Sequence, residues 1–302
     1  MPNNVTPTTP KQLHIRLYTH NIRYATSHPF KNELSWPHRA PLVIASIRLH
    51  VLHNPQALIC LQEVLHSQLL DILEGLGPEW AHIGVGRDDG QKAGEYSPIL
   101  FRNSIWTIQK SQNIWLSPTP DVPSKGWDAS NKRILTSVML RHRETDVQVL
   151  ALNTHLDDQG VQSRLESGKI ILAHIASQLQ EYLSDQQLES NQQQRQQSEL
   201  PIFLAGDFNS TPDEEAYILL ANASSPMHDL RKAVGKRDRY GHDNTFTGFE
   251  SRPVDQKRID FLFLSKTGGW NVHGYGVLET RFEDGVFSSD HRPVVGDLSL
   301  PL

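Results

Sequence analysis

Apolar and polar positions along this chain follow two rhythms, one of strands and one of helices. Residues 13–21, Leu-His-Ile-Arg-Leu-Tyr-Thr-His-Asn, alternate and read as a strand with Asn21 just beyond its end. Residues 57–64 and 201–209 are short apolar runs without helical period, the pattern of strands covered on both faces. The first presents Glu63 at its C-terminal end. The second enters through Pro201, stops at Gly206 and carries Asp207 and Asn209 two residues apart, so that both side chains point to one side. Residues 80–85 and 96–102 read as two more strands, around the loop Arg87-Asp88-Asp89-Gly90. Residues 105–108 and 114–116 read as two short strands, and 133–141 with 147–155 as an antiparallel hairpin ending in Asn153-Thr154-His155. Residues 258–264 place Asp260 inside an apolar strand, and 294–300 form the last strand, fed by Ser288-Ser289-Asp290-His291-Arg292-Pro293.

Helical spacing marks residues 36–53 after a turn at Pro41, 67–76 closed by Gly75 and Gly77, and 164–183. A further helix is expected over 212–221, with Thr211 as N-cap and Glu214 and Glu215 in its first turns. Residues 117–131 hold Pro118, Pro120, Pro123, Gly126 and Trp127, which no regular element tolerates; a loop this long reads as an ordered lip over a site. Residues 228–248 are irregular and polar. The Gln-rich tract 186–197 reads as a solvent-exposed insertion and residues 1–12 as a flexible tail, leaving 13–302 as a single domain.

Composition narrows the function classes. With 302 residues, 37% hydrophobic and 21% charged, the chain is long enough for a substantial core and has no membrane-spanning run or apolar anchor. A formal charge of −5 gives no general attraction to nucleic acid, although a local basic patch can hide within that total. Cys60 is the single cysteine, sits in an apolar run and is expected to be a buried, inert thiol. A soluble, intracellular monomer is expected.

Nearly all the polar residues singled out stand at strand ends: Asn21, Glu63, His155, Asp207 with Asn209, Asp260, and Asp290 with His291. Their settings, Asn-Ile-Arg, Leu-Gln-Glu-Val, Asn-Thr-His-Leu, Gly-Asp-Phe-Asn, Arg-Ile-Asp-Phe and Ser-Asp-His-Arg-Pro, occur in an order that resembles the endonuclease/exonuclease/phosphatase superfamily, over residues 13–300. That superfamily includes deoxyribonuclease I, inositol polyphosphate 5-phosphatases and the deadenylases. The resemblance implies an α/β four-layer αββα sandwich of two packed, mainly antiparallel sheets. It also implies Mg²⁺-dependent hydrolysis of a phosphate ester by direct attack of water, with Mn²⁺ as a substitute ion. Such chemistry needs a nucleophile made from water and neutralisation of phosphoryl charge, and hard oxygen donors suit a hard cation.

By the same resemblance Glu63, Asn21 and Asp290 are metal ligands, Asp207 orients or deprotonates water, and Asn209 holds the phosphate or that water. His291 contacts a phosphoryl oxygen with Asp260 on its other nitrogen, and His155 stabilises charge or protonates the leaving group. Arg23 stands where some apurinic endonucleases carry an acid, which removes a carboxylate ligand and offers a guanidinium to grip the ester; Trp127 is a further substrate-contact candidate. The mildly acidic chain and its Gly-containing loops suit a small or carbohydrate-like phosphoester, monoester or diester. A nuclease acting on RNA or DNA is the first alternative, and an inactive binding module on the same scaffold the second.

Overall fold

The alternating stretch near the N-terminus becomes β1, Gln12–Asn21, a central strand of one sheet, in a computed structural model that describes residues 11–190, 199–250 and 255–302. Along the described residues follow α1 (Trp36–Val51), β2 (Leu58–Gln62), α2 (His66–Leu76), β3 (Trp80–Ile83), β4 (Ile99–Arg102), β5 (Trp106–Trp115), β6 (Ile134–His142) and β7 (Gln148–His155). Then come α3 (Val161–Ser190), β8 (Ile202–Asp207), α4 (Glu215–Ala221), β9 (Met227–Asp229), α5 (Leu230–Ala233), β10 (Arg239–Gly241), β11 (Asp260–Ser265), β12 (Asn271–Val277) and β13 (Val294–Pro301). One sheet has the order β10-β12-β13-β1-β2-β4-β3, the other β5-β6-β7-β8-β11-β9.

Period-two burial sorts the apolar side chains into three layers. Leu13, Ile15, Leu17, Leu58 and Cys60 of the first sheet meet Val149, Ala151, Phe203, Ala205 and Leu262 of the second in the inter-sheet core. The alternate residues Ile59 and Leu61 face outward under Val43 and Ile47 of α1 and Leu69 and Ile72 of α2. Leu150, Leu152, Leu204 and Phe263 do the same under Ile171 and Ile175 of α3 and Tyr217 and Leu220 of α4. This is the four-layer αββα sandwich, and it explains why the runs around Cys60 and Phe203 show no polar face. Burial pushes the Cys60 thiol far above its usual range, so it stays protonated.

Several elements differ from the sequence reading. Pro41 lies inside α1 without ending it, forgoing the bond its missing N–H would make to the carbonyl of residue 37. The two short strands around Trp106 and Trp115 are one strand, β5, with a bulge between Ile108 and Lys110 that breaks the visible period. Helix α3 runs on to Ser190 and takes in the start of the Gln-rich tract; the rest of that tract, from 191, lies outside the described residues, as do residues 1–10 of the tail, while Gln12 already belongs to β1. Helix α4 begins only at Glu215, and Thr211 instead donates its hydroxyl to Asp213 and Glu214 in the preceding turn. Region 228–248 contains β10 and α5, and β12 was not foreseen. Among the described residues no helix is long and apolar enough to cross a membrane.

Away from the rim, His174 of α3 packs on the second sheet with Nε2 against Ser137 Oγ at 2.8 Å. Burial, with Lys110 nearby, lowers its pKa to about 4. A group depressed on folding contributes stability that is present above its unfolded value and lost as pH falls through its folded value, so the window is about 6.5 down to about 4. After allowance for partial exposure, His174→Gln should remove about 1–2 kcal/mol of acid sensitivity across that window, read from urea midpoints at several pH values. An unchanged pH slope would count against it.

Candidate active site

Strand direction brings the candidates to one rim. Strands β1 and β2 are parallel with Asn21 beside Gln62, and β7 and β8 are parallel with His155 beside Asp207, so all four chains leave their sheets at the same end. Antiparallel β11 enters at that end with Asp260 opposite Asp207. The segment carrying Asp290 and His291 arrives there just before β13 pairs with β1. Below the rim the sheets are tied by a buried amide pair: Gln62 Nε2 donates to Asn153 Oδ1 at 2.8 Å, and Asn153 Nδ2 donates to the carbonyls of Leu61 and Pro98. These buried bonds across the inter-sheet space favour one relative placement of the sheets, although Gln62 Oε1 itself has no partner.

Local backbone is bent to aim the side chains. Glu63, Arg23 and Asn209 have φ of 57, 59 and 46°, a left-handed region that costs energy for residues other than glycine and that clusters at functional sites. Gly206 has φ +149°, and a Cβ there would collide with the Thr154 carbonyl of the neighbouring parallel strand. Only glycine lets β8 approach β7 closely enough to set Asp207 beside His155. The buried guanidinium of Arg39 joins the rim from beneath, donating to the carbonyls of Ile22, Arg23, Leu34 and Ser288.

Asp207 is the hub. Its Oδ2 accepts from Asn21 Nδ2 at 2.9 Å and lies 3.5 Å from His155 Nε2 and 3.6 Å from His291 Nε2, while Oδ1 accepts from the Asn209 N–H. Asn21 Nδ2 also donates to Glu63 Oε1 at 3.0 Å, and its Oδ1 accepts from the Arg23 N–H. His291 Nδ1 meets Asp260 Oδ2 at 2.8 Å; Asp260 Oδ1 is buried without a partner. Asn209 Nδ2 donates to His155 Nε2 and to the Leu156 carbonyl, both at 3.0 Å.

The charges follow from burial and neighbours. Burial raises the Asp207 pKa, with Asp260 adding to it against the histidines. Burial opposes charging His291, yet Asp260 and Asp207 outweigh it and hold the imidazolium well above the usual range. Burial, helped by Arg133, lowers His155 to about 4, so its ring is neutral at pH 7. Burial and then Glu63, against His291 and Arg23, lift Asp290 to about 6.

A cleft of about 580 Å³ opens over this cluster, lined among others by Glu63, His155, Asp207, Asn209, Asp290 and His291. Asn21 and Asp260 stand directly behind that lining. Arg23 lines it too, but its Nε and Nη2 go to Glu33, its Nη1 lies 3.7 Å from Glu63, and its plane sits between the rings of Tyr24 and Phe30. Trp127 is exposed and lies outside the lining; the 117–131 loop reaches the cleft through Asn131. Sequence reasoning missed Glu95, clamped by both Arg87 Nη atoms and 3.6 Å from His155 Nδ1, and it missed Arg133. The Arg87-Asp88-Asp89-Gly90 loop did carry a signal, as a polar, Gly-containing loop between two strands, but the pattern assigns no residue in it a role. Asp207, Asp260 and His291 bring one ligand atom each within 4.8 Å of one another, a group able to hold a metal ion.

A model of the endonuclease/exonuclease/phosphatase family matches residues 18–291. The chain belongs to that family. Members of the endonuclease/exonuclease/phosphatase family are hydrolases acting on phosphate esters. One similar solved structure is a family member from Bacteroides vulgatus, 31% identical with a TM-score of 0.80, covering 95% of this chain and 99% of that one. Another is mannosyl-6-phosphatase from Bacteroides thetaiotaomicron, 29% identical with a TM-score of 0.75, covering 94% and 99%. The Ccr4 3'-5'-exoribonuclease subunit of the CCR4-Not complex from Aspergillus niger is 25% identical over 249 residues, 70% of this chain, which spans only 37% of that relative's length.

Proposed function

We propose that the chain is a divalent-metal-dependent phosphoesterase that hydrolyses the phosphate ester of a small, sugar-like molecule by direct attack of water. The observation that carries this reading is a single carboxylate, Asp207, set within 3.6 Å of one neutral and one protonated histidine and bonded through Asn21 to a second carboxylate, Glu63. Water bound against Asp207 Oδ2 is oriented for attack, and that oxygen takes its proton. The charged Nε2–H of His291 holds a phosphoryl oxygen as negative charge develops, whereas both Nδ2 hydrogens of Asn209 are already given to His155 Nε2 and the Leu156 carbonyl. His155 is neutral and accepts from Asn209, so its part is to orient that amide, with Nδ1 facing Glu95.

A hard cation fits Glu63 and Asp290. Both are cleft carboxylates, and Asp290, its pKa raised by burial and then by the neighbouring Glu63, is a charge that a bound cation would stabilise. A bound ion would polarise the ester and neutralise phosphoryl charge. The group Asp207, Asp260 and His291 suits an ion less well, because His291 Nδ1 is engaged with Asp260 and the ring carries a second proton. Asn21 stands behind the cleft lining, its amide hydrogens holding Glu63 and Asp207 and its oxygen accepting from the Arg23 N–H with a second lone pair left over for an ion.

Whole-length similarity to a mannosyl-6-phosphatase favours a phosphosugar. The Ccr4 relatives supply the second reading, a nuclease acting on RNA or DNA. Cleft arginines 23, 87, 133 and 164 are each paired with an acid, which does not make the open cationic track that gives steep salt dependence. The deciding experiment is a panel of mannose 6-phosphate, inositol phosphates, p-nitrophenyl phosphate, its bis-ester, and single-stranded RNA and DNA, run with Mg²⁺, Mn²⁺ or EDTA. Sugar phosphates are expected to turn over at least about tenfold faster than oligonucleotides, with activity lost in EDTA and restored by Mg²⁺. Turnover unaffected by EDTA would overturn the metal dependence, and a preference for oligonucleotides the substrate class.

A further inference from the structure

Among the cleft arginines, Arg133 differs in how its donors are used. Its Nε donates to Asp157 Oδ2 at 3.2 Å and its Nη2 to Asp158 Oδ1 at 2.8 Å, while Nη1 is covered from solvent and has no hydrogen-bond partner. Arg23 has both edges engaged by Glu33 and Glu63, and Arg87 has both terminal nitrogens on Glu95, leaving its Nε and no terminal nitrogen without a partner. Arg133 therefore brings to the cleft wall a guanidinium fixed along one edge, with a terminal donor to spare. Its side chain is only 3% exposed, so an acceptor for that donor must come from within the site.

Placement of that guanidinium is built in. Asp157 accepts from the N–H groups of Ser130, Asn131 and Gly160 and from the Ser130 hydroxyl, which together with Arg133 overcome burial and keep its carboxylate well below the usual range. These bonds lock the end of the 117–131 loop to the turn after β7, the same turn that follows His155. A charged donor left unpartnered out of water is costly, and sites of this kind are expected to receive a ligand acceptor. Arg133 also lies close enough to His155 to help lower its pKa, which puts its charge beside the phosphoryl end of the cleft.

We infer that Arg133, and not Arg23, is the arginine that binds the substrate's phosphoryl group, donating from Nη1 to a non-bridging oxygen, with Asp157 and Asp158 as its positioning residues. This rests on the phosphoester reading above. A planar fork held on one edge by carboxylates presents its remaining edge at a fixed angle, which a lysine ammonium cannot reproduce. Because the contact is made to oxygens already present in the ground state, its loss should appear mainly in KM.

The test is binding of inorganic phosphate to the full chain with Mg²⁺ by calorimetry, for wild type, Arg133→Lys and Arg133→Ala, beside KM and kcat for mannose 6-phosphate. Both variants should bind phosphate about 10- to 100-fold more weakly and raise KM more than they lower kcat, with added guanidinium partly rescuing Arg133→Ala. Folded variants, with melting points within about 5 °C of wild type, that bind phosphate within threefold of it would overturn the assignment. So would a wild-type chain that binds no phosphate at millimolar concentration. Should neither variant fold, a wild-type crystal grown with phosphate and Mg²⁺ decides: phosphate on Arg133 Nη1 supports the contact, and phosphate held away from it overturns it. Phosphate bound through Arg133 without turnover of any ester would sink the phosphoesterase reading and leave this contact standing. Turnover with unchanged phosphate binding in the variants would do the reverse.

Discussion

Asp207→Asn is expected to lower kcat by at least about 10³-fold while the protein still folds. The carboxylate lies within 3.6 Å of both histidines, and its Oδ2 is the proposed proton acceptor for water. A carboxamide keeps the shape and removes the basicity. Its effect on stability is a balance of opposing terms. An amide must turn an N–H toward either Asn21 Nδ2 or the Asn209 N–H, both donors, at a cost of about 1–3 kcal/mol. Against this, the substitution relieves repulsion with Asp260, directly opposite on β11 and among the causes of the raised Asp207 pKa. The attraction to the His291 imidazolium is lost as well, so a lower melting temperature with the fold retained is expected. Single-turnover kinetics with excess enzyme, alongside circular dichroism, make the check, and a rate within tenfold of wild type would remove Asp207 from the proton-transfer role.

Much of the sandwich was legible because each buried strand is covered on both faces and leaves an uninterrupted apolar run with a polar residue at its end. That is how Glu63, Asp207 and His155 announced themselves. The reading failed where local chemistry hid the period. Gly274 and Gly276 supply no side chain to β12, and the bulge after Ile108 shifts β5 out of phase. It failed also where a residue's role is set by a partner far along the chain. Nothing near Arg23 tells that its guanidinium is engaged by Glu33, or that Arg133 is held by Asp157 with one donor left over. Short-range pattern shows which residues reach a rim. Long-range pairing decides which of them are free to act there, and it appears only once the two sheets, tied by Gln62 and Asn153, are packed.

His291 carries the second large effect, and its charge state makes the prediction sharper than loss of a side chain. Two buried carboxylates face the ring, Asp260 at 2.8 Å from Nδ1 and Asp207 at 3.6 Å from Nε2, and they hold it protonated against the pull of burial. A histidine raised above its unfolded value contributes stability that is fully present below about 6.5 and lost as pH rises through the raised value. The same sign applies to any rate that needs the imidazolium, which persists through neutral pH and fails on the alkaline side. His291→Ala should cost about 10²- to 10³-fold in kcat by removing a preorganised charged donor. It also leaves Asp260 buried with neither oxygen partnered through its side-chain atoms, so a loss of about 3–5 kcal/mol is expected with it. Asp260→Asn separates the two effects: the ring stays and its largest stabilising charge goes. In that variant the alkaline limb of the rate profile should move to lower pH, with the rate at acid pH less affected. A profile superimposable on wild type would show that the proton on His291 takes no part in turnover, whatever the alanine variant does.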